Sequence, residues 1–348
     1  MLNPAAQPAA PTLNPFAQRL REVVHGNHLG KRDAGSLIGE FMDGNASGIQ
    51  AAALLCALAT KGETVNEVVG AAEAMRARSV RVVHDLPLVM DLCGTGGDHR
   101  NTLNISTMAS LVVAAAGVPV AKHGNRAASS QCGSADVLET AGLSIGIDAD
   151  TAAQMLLARK FTFLFAQLYH PAMKHVAPVR RELPIRTIFN VLGPLTNPAA
   201  ATHQVIGVAR SSHVELVGQA LQALGARAGA VVHAANGIDE VAGDCLTTVF
   251  SFEGLETRKW VLDPREFGVN APLSEIRGGD REYNADAFRR ILSGERSPRA
   301  AVVALNAALA LQVAGVEADL HDGMQTATSI LEGGAAYALF RDVCEIAA

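Results

Sequence analysis

Aromatic side chains are scarce in this chain, 4% of residues with a single tryptophan. A β sandwich builds its core around aromatics, so the shortage points to closely packed helices and parallel strands made from Ala, Val and Leu. Cysteine is sparse as well. Cys56, Cys93, Cys132, Cys245 and Cys344 are odd in number, widely spaced and never form Cys-x-x-Cys, which supports neither a disulfide framework nor a zinc knuckle and suits a cytoplasmic protein. The histidines are scattered, and His170 and His175, five apart, do not share the helix face that a two-histidine metal site uses. There is no long apolar run: Leu111 to Ala121 is broken by Gly117 and Pro119 and is too short to cross a bilayer. Residues 1–15 hold no basic residue and no apolar block, so they read as a loose Pro/Ala tail rather than a secretory signal. Positive charge is not in excess either. Lys+Arg 29 against Asp+Glu 34 leaves −5 at pH 7, which argues against general nucleic-acid binding.

What is present fits a folded globular protein. With 348 residues, 49% of them hydrophobic and 18% charged, the chain can make one large domain with an appendage, or two domains. Residues 16–80 are helical in period: Phe16, Leu20, Val23 and Val24 form one stripe, Leu37, Ile38, Phe41 and Met42 a second. Ser47–Gln50 and Thr64–Glu67 have capping-box spacing and open two more helices. After Arg81 the rhythm alternates. Strands are expected at 86–93, 118–122, 205–208 and 230–233, and helices at 151–159, 214–224 and 298–313, the last with Ser297 as cap and Pro298 in its first turn. The fold class is therefore α/β: a small N-terminal all-helical domain over 16–80, and a larger domain over 81–348 with a mostly parallel central sheet covered by helices. Ligands of such sheets collect at the carboxyl ends of the strands.

The densest motif ends the first strand. Asp91-Leu92-Cys93-Gly94-Thr95-Gly96-Gly97-Asp98 is followed by Thr102 and by Asn104-Ile105-Ser106-Thr107 at the start of an apolar helix. Three glycines in four residues let backbone amides converge on an anion near a helix N-terminus, which is phosphate chemistry; a plain tight turn is the alternative. The common nucleotide motifs do not fit, because His99 stands where Gly-x-Gly-x-x-Gly needs glycine and no Gly-x-x-x-x-Gly-Lys-Ser/Thr occurs. The next strand runs into Lys122-His123-Gly124-Asn125-Arg126, with Ser129, Ser130 and Ser134 beyond. Two cations and three hydroxyls at one junction offer charge and directional donors to phosphate oxygens, although Lys122 or Arg126 taken singly is an ordinary surface charge and His123 an ordinary core residue.

Two further segments bear on chemistry. Asp239 and Glu240 follow the strand at 230–233. Carboxylates repel a polyphosphate, so Asp98, Asp239 and Glu240 belong beside one only if a divalent cation mediates, and magnesium suits oxygen ligands best; otherwise the acidic pair caps the next segment. His170 to Pro198 carries Arg180, Arg181 and Arg186. An arginine there can grip a carboxylate bidentately, and spacing does not choose among the three.

Taken in order, Gly94 to Asp98, Asn104 to Thr107, Lys122 to Arg126, Gly133 to Glu139 and His170 to Pro198 resemble the anthranilate phosphoribosyltransferase family. The resemblance runs from the first helices to residue 240, and the C-terminal third matches only in general character. It implies a nucleoside phosphorylase/phosphoribosyltransferase type of architecture, a helical domain joined by part of 175–200, and a homodimer formed through that domain. It implies transfer of the phosphoribosyl group of phosphoribosyl diphosphate to anthranilate in tryptophan biosynthesis, with Mg2+ as cofactor and these two small molecules, not nucleic acid or membrane, as partners. By the same resemblance the sugar diphosphate meets Gly94, Gly97, Asp98, Thr102, Asn104, Ile105, Ser106, Thr107, Lys122, His123, Gly124, Asn125, Arg126, Ala127, Ala128, Ser129, Ser130 and Ser134, with Ile105, Ala127 and Ala128 offering backbone or shape only. Anthranilate meets Gly94, Asn125 and Arg180, and magnesium Ser106, Asp239 and Glu240. No residue is assigned as general acid or base; His123 is the nearest candidate.

Some positions depart from that pattern: His99 for a usual glycine, Gln167 for a frequent proline, Pro184 for a frequent glycine, and Ala234-Ala235-Asn236 before the acidic pair. They bear on loop shape more than on ligand chemistry. The competing readings are a pyrimidine nucleoside phosphorylase, whose Lys-His-Ser-Thr-Gly-Gly loop differs from residues 93–98, and a non-catalytic nucleic-acid-binding relative, which the acidic balance disfavours.

Overall fold

The computed structural model describes residues 15–127 and 130–347. Four helices open the chain: α1 (Pro15–Val24), α2 (Lys31–Met42), α3 (Gly48–Lys61) and α4 (Val65–Arg76). Of the tail expected over 1–15, only Pro15 falls within the described residues, and it opens α1. The Ser47/Gln50 and Thr64/Glu67 capping boxes both form, each hydroxyl accepting from the amide three residues on. Glu67 does more than cap. Its buried carboxylate also accepts from Leu29 N at 2.8 Å and Lys61 Nζ at 2.7 Å, and against the upward push of burial these donors hold its pKa below the ordinary value.

The α/β part follows as β1 (Met90–Gly94), α5 (Ile105–Ala115), β2 (Val120–Gly124), α6 (Ser134–Ala141), α7 (Ala149–Arg159), β3 (Phe161–Phe165), α8 (Ala166–Tyr169), α9 (Met173–Glu182), α10 (Phe189–Leu192), β4 (His203–Gly207), α11 (His213–Ala223), β5 (Ala228–Ala234), β6 (Thr247–Glu253), β7 (Glu256–Leu262), α12 (Arg281–Leu292), α13 (Pro298–Val313), α14 (Leu320–Glu332) and α15 (Ala335–Ala347). The strands form one sheet in the order β3-β2-β1-β4-β5-β6-β7. β1 to β5 run parallel, and the β6–β7 hairpin is antiparallel. The four expected strands are β1, β2, β4 and β5, with ends shifted by a few residues, and the helix expected at 298–313 is α13.

Three strands lie outside the sequence expectations, each for a physical reason. β3 is a fully buried apolar run with no alternation to mark it. β6 and β7 close the sheet as a hairpin whose outer strand is exposed and polar along most of its length. α9 returns to pack against α2 and α3, and α4 packs on α11. One apolar core lies under α5 and α13; a second runs from the four N-terminal helices into the α11 face of the sheet. Arg76 ties the two parts, donating to Leu195 O at 2.8 Å and Leu224 O at 3.2 Å. Among the described residues no helix is long and apolar enough to cross a membrane.

The topology fixes where a ligand can sit. The chain leaves β1 outward to β2 and β3, then returns to β4 on the other side. The strand order therefore reverses between β1 and β4, and their carboxyl ends open a crevice.

Candidate active site

The glycine turn after β1 forms one wall of that crevice. Gly96 (φ 64°) and Gly97 (φ 72°) take left-handed backbone that a side chain would strain. Asp239, in the turn after β5, reaches across so that Oδ2 accepts the Gly96 amide at 2.7 Å. A Cβ on Gly94 would strike the same carboxylate, so only glycine lets the two turns close. The amides of Gly97 and Asp98 have no partner among the described residues and are open to an anion. Asp98 Oδ1 accepts from Arg100 N at 3.1 Å, whereas Oδ2 is buried without a partner.

Negative charge concentrates beside this turn. Glu240 Oε1 accepts from Ser106 N, at the positive end of α5, at 3.2 Å. Burial and the nearby charge of Asp98 push the Asp239 carboxyl above its ordinary value, and burial with the charge of Asp239 pushes Glu240 up to about 8. The Lys122 ammonium is buried close by, donating to Leu92 O at 2.6 Å and reaching Ser106 Oγ at 3.5 Å. Beneath it, buried Asp91 accepts from His123 N at 3.1 Å and Asn197 Nδ2 at 2.8 Å, which binds the segment ending at Pro198 to the sheet.

The turn after β2 makes the second wall. His123 Nδ1 lies 3.1 Å from Gly193 O, its Nε2 has no partner, and its ring centroid is 5.0 Å from that of His170. Burial lowers the two imidazoles to about 3 and about 4, so both are neutral at pH 7 and His123 is not poised as a cationic acid. Past Gly124, Asn125 Oδ1 accepts from Arg126 N at 2.8 Å and Gln167 Nε2 at 3.3 Å. Arg126 pairs with Asp136 and Glu139 and lies over the Phe165 ring. Asp136 also accepts from Ala127 N at 2.9 Å. Ser130 Oγ donates to Cys132 O and Ser134 Oγ to Asn125 O. Ala128 and Ser129 lie outside the described residues.

The fold thus brings Gly94, Gly97, Asp98, Ser106, Lys122, Asp239 and Glu240 to one crevice. It links the second loop to the first through Asn104 Nδ2, which donates to Cys132 O at 3.2 Å. Ile105 and Thr107 are buried in α5. Of the three arginines that spacing leaves undecided, Arg181 is exposed, Arg180 is partly buried over the Phe189 ring at 5.9 Å, and Arg186 reaches the glycine turn itself, donating to Gly97 O at 2.8 Å and Gly96 O at 3.0 Å. Sequence motifs carry no sign of the C-terminal clasp on this site. Thr102 bridges to Arg277, Leu103 N donates to Ile276 O, and Asn284 Nδ2 donates to Asn104 Oδ1 at 3.0 Å.

Comparison with known proteins agrees over nearly the whole chain. Residues 86–337 match the glycosyl transferase family a/b domain, and residues 17–79 its helical bundle domain. The anthranilate phosphoribosyltransferase of Pelotomaculum thermopropionicum is 45% identical over 327 residues, 94% of this chain and 95% of that one. The crystal structure of the Thermus thermophilus enzyme of that name superposes with a TM-score of 0.89 at 40% identity, covering 94% of this chain and 98% of its own. The Saccharomyces cerevisiae enzyme, solved in complex with phosphoribosyl diphosphate and magnesium, gives 0.87 at 25% identity, covering 95% and 97%. The chain belongs to the anthranilate phosphoribosyltransferase family.

Proposed function

We propose that this chain transfers the 5-phosphoribosyl group of phosphoribosyl diphosphate to the amine of anthranilate, releasing N-(5-phosphoribosyl)anthranilate and diphosphate in tryptophan biosynthesis, with Mg2+ as cofactor. The observation that carries this reading is the meeting of an anion-receptive glycine turn with Asp239 and Glu240 at the β1–β4 crevice of a chain of this family.

A hard divalent cation fits what the crevice offers. Asp98 Oδ2 is buried without a partner, and burial, together with the charge of Asp98 on Asp239 and of Asp239 on Glu240, holds both carboxyls above their ordinary pKa values. Among the described residues no three His, Cys, Asp or Glu side chains form a metal cage. Magnesium is that kind of guest, taking one or two carboxylates and filling its shell with water and phosphate oxygens. Ser106, Asp239 and Glu240 would hold it, and once bound it would offset charge gathering on the departing diphosphate.

The protein's own groups do the rest. The Gly97 and Asp98 amides and the Lys122 ammonium face the diphosphate with fixed positive charge that needs no reorganisation as the bond to the anomeric carbon breaks. Arg180 has no carboxylate partner among the described residues, which leaves its guanidinium for the carboxylate of anthranilate. The aromatic amine of anthranilate is neutral near pH 7, so its lone pair needs positioning rather than a base, and the neutral His123 is in keeping with that. Val24 and Ile49, exposed on α1 and α3, support a homodimer through the helical domain. The five free cysteines support a reducing, cytoplasmic setting. The test is to mix the purified protein with anthranilate, phosphoribosyl diphosphate and Mg2+ and follow anthranilate fluorescence. Loss of fluorescence matched by diphosphate release is expected; phosphorolysis of thymidine or uridine instead would overturn the reading.

A further inference from the structure

We propose that Arg186 is a positioning residue that holds the glycine turn in its diphosphate-binding form. The assignment rests on the transferase reading of the crevice and adds to it a residue that touches neither substrate.

Arg186 Nη2 and Nη1 take the carbonyl oxygens of two consecutive residues, Gly96 at 3.0 Å and Gly97 at 2.8 Å. In a trans peptide the C=O and the following N–H point in opposite directions. Holding Gly96 O and Gly97 O on one side therefore turns the amides of Gly97 and Asp98 to the other, and those two amides are the ones without a partner. Among the described residues no other hydrogen bond holds these planes, and Gly96 and Gly97 are left-handed glycines for which both peptide orientations are accessible. Asp239 fixes only the preceding amide, that of Gly96. The fork suits guanidinium, since two donors in one rigid plane span two carbonyls where an ammonium serves one. Arg186 is itself held, because Thr187 N donates to Asn190 Oδ1 at 2.8 Å immediately beyond it. Its partly buried guanidinium also lies near the charges of Arg210, Asp239 and Asp98.

The test compares wild type with Arg186→Ala and Arg186→Lys by calorimetry with magnesium diphosphate and by steady-state kinetics in both substrates. Arg186→Ala is expected to raise the Kd for magnesium diphosphate and the KM for phosphoribosyl diphosphate about tenfold or more while leaving the KM for anthranilate unchanged. Millimolar guanidinium ion is expected to restore part of that loss, which a merely structural role would not allow. Arg186→Lys, keeping the charge and one carbonyl, is expected to fall between the two, and it carries the test should the alanine variant not fold. A lysine variant indistinguishable from wild type overturns the two-carbonyl clamp, as does an alanine variant whose only change is in the KM for anthranilate. A wild type that binds magnesium diphosphate yet leaves anthranilate untouched would sink the transferase reading while the calorimetric comparison still decides the role of Arg186.

Discussion

Asp239 Oδ2 accepts a 2.7 Å hydrogen bond from the Gly96 amide across 143 positions of sequence. The bond joins the turns after β5 and β1 and gives one carboxylate two tasks, fixing the glycine turn and supplying charge. Asp239→Asn separates them, because an amide oxygen still accepts from Gly96. The expected result is a Tm close to wild type with turnover down about 100-fold and a raised magnesium requirement. Rates measured across a magnesium series check it, and an unchanged magnesium dependence contradicts it.

Arg180 is partly buried over the Phe189 ring and has no carboxylate partner among the described residues, whereas Arg181 is exposed and Arg186 is taken by the glycine turn. Arg180→Ala is expected to raise the KM for anthranilate about tenfold, the size of a lost charge-assisted pair, and to spare the KM for phosphoribosyl diphosphate. Steady-state kinetics in each substrate check this, and an unaltered anthranilate KM counts against the pairing.

The His123–His170 pair makes stability depend on pH. Both rings are held well below the ordinary value of 6.5, to about 3 and about 4, by burial, with His170 and then Lys122 adding to the effect on His123. The unfolded chain therefore takes up protons that the folded one refuses, so the stability from this pair is complete above pH 6.5 and is lost as pH falls through about 4 for His170 and about 3 for His123. Tm measured from pH 7.5 down to about 4.5 is expected to fall less steeply in His170→Gln than in wild type; parallel curves contradict the assignment.

His99 carries φ 57°, a left-handed conformation, where the family resemblance expects glycine. Restoring glycine relieves about 1–2 kcal/mol of strain and costs about 0.5–1 kcal/mol in chain entropy. His99→Gly is therefore expected to raise Tm by about 1–2 °C, read by calorimetry; a lower Tm means that the imidazole makes a stabilising contact.

Local features were the legible ones. Ser47, Thr64 and Ser297 announce helix starts because their partners lie three residues away, and Gly94 to Asp98 announces an anion-receptive turn because conformation and donors share one segment. What depends on packing at long range was not legible. Spacing cannot tell that Arg186 faces the glycine turn and Arg180 the Phe189 ring, since that follows from where α9 ends. Nor does any motif show that Asn284 will reach Asn104 across 180 positions. β7 carries no strand signal because an exposed edge strand, Glu256 to Leu262, lacks the buried alternation that marks strands in sequence.

The account stands on a divalent cation held between the acidic pair and the sugar diphosphate. Titration with Mn2+ in place of Mg2+, read by electron paramagnetic resonance with and without phosphoribosyl diphosphate, tests this most directly. Wild type is expected to bind the ion weakly alone and tightly with the sugar diphosphate, and Glu240→Gln to lose most of the tightening. Equal binding by the two proteins would contradict the account.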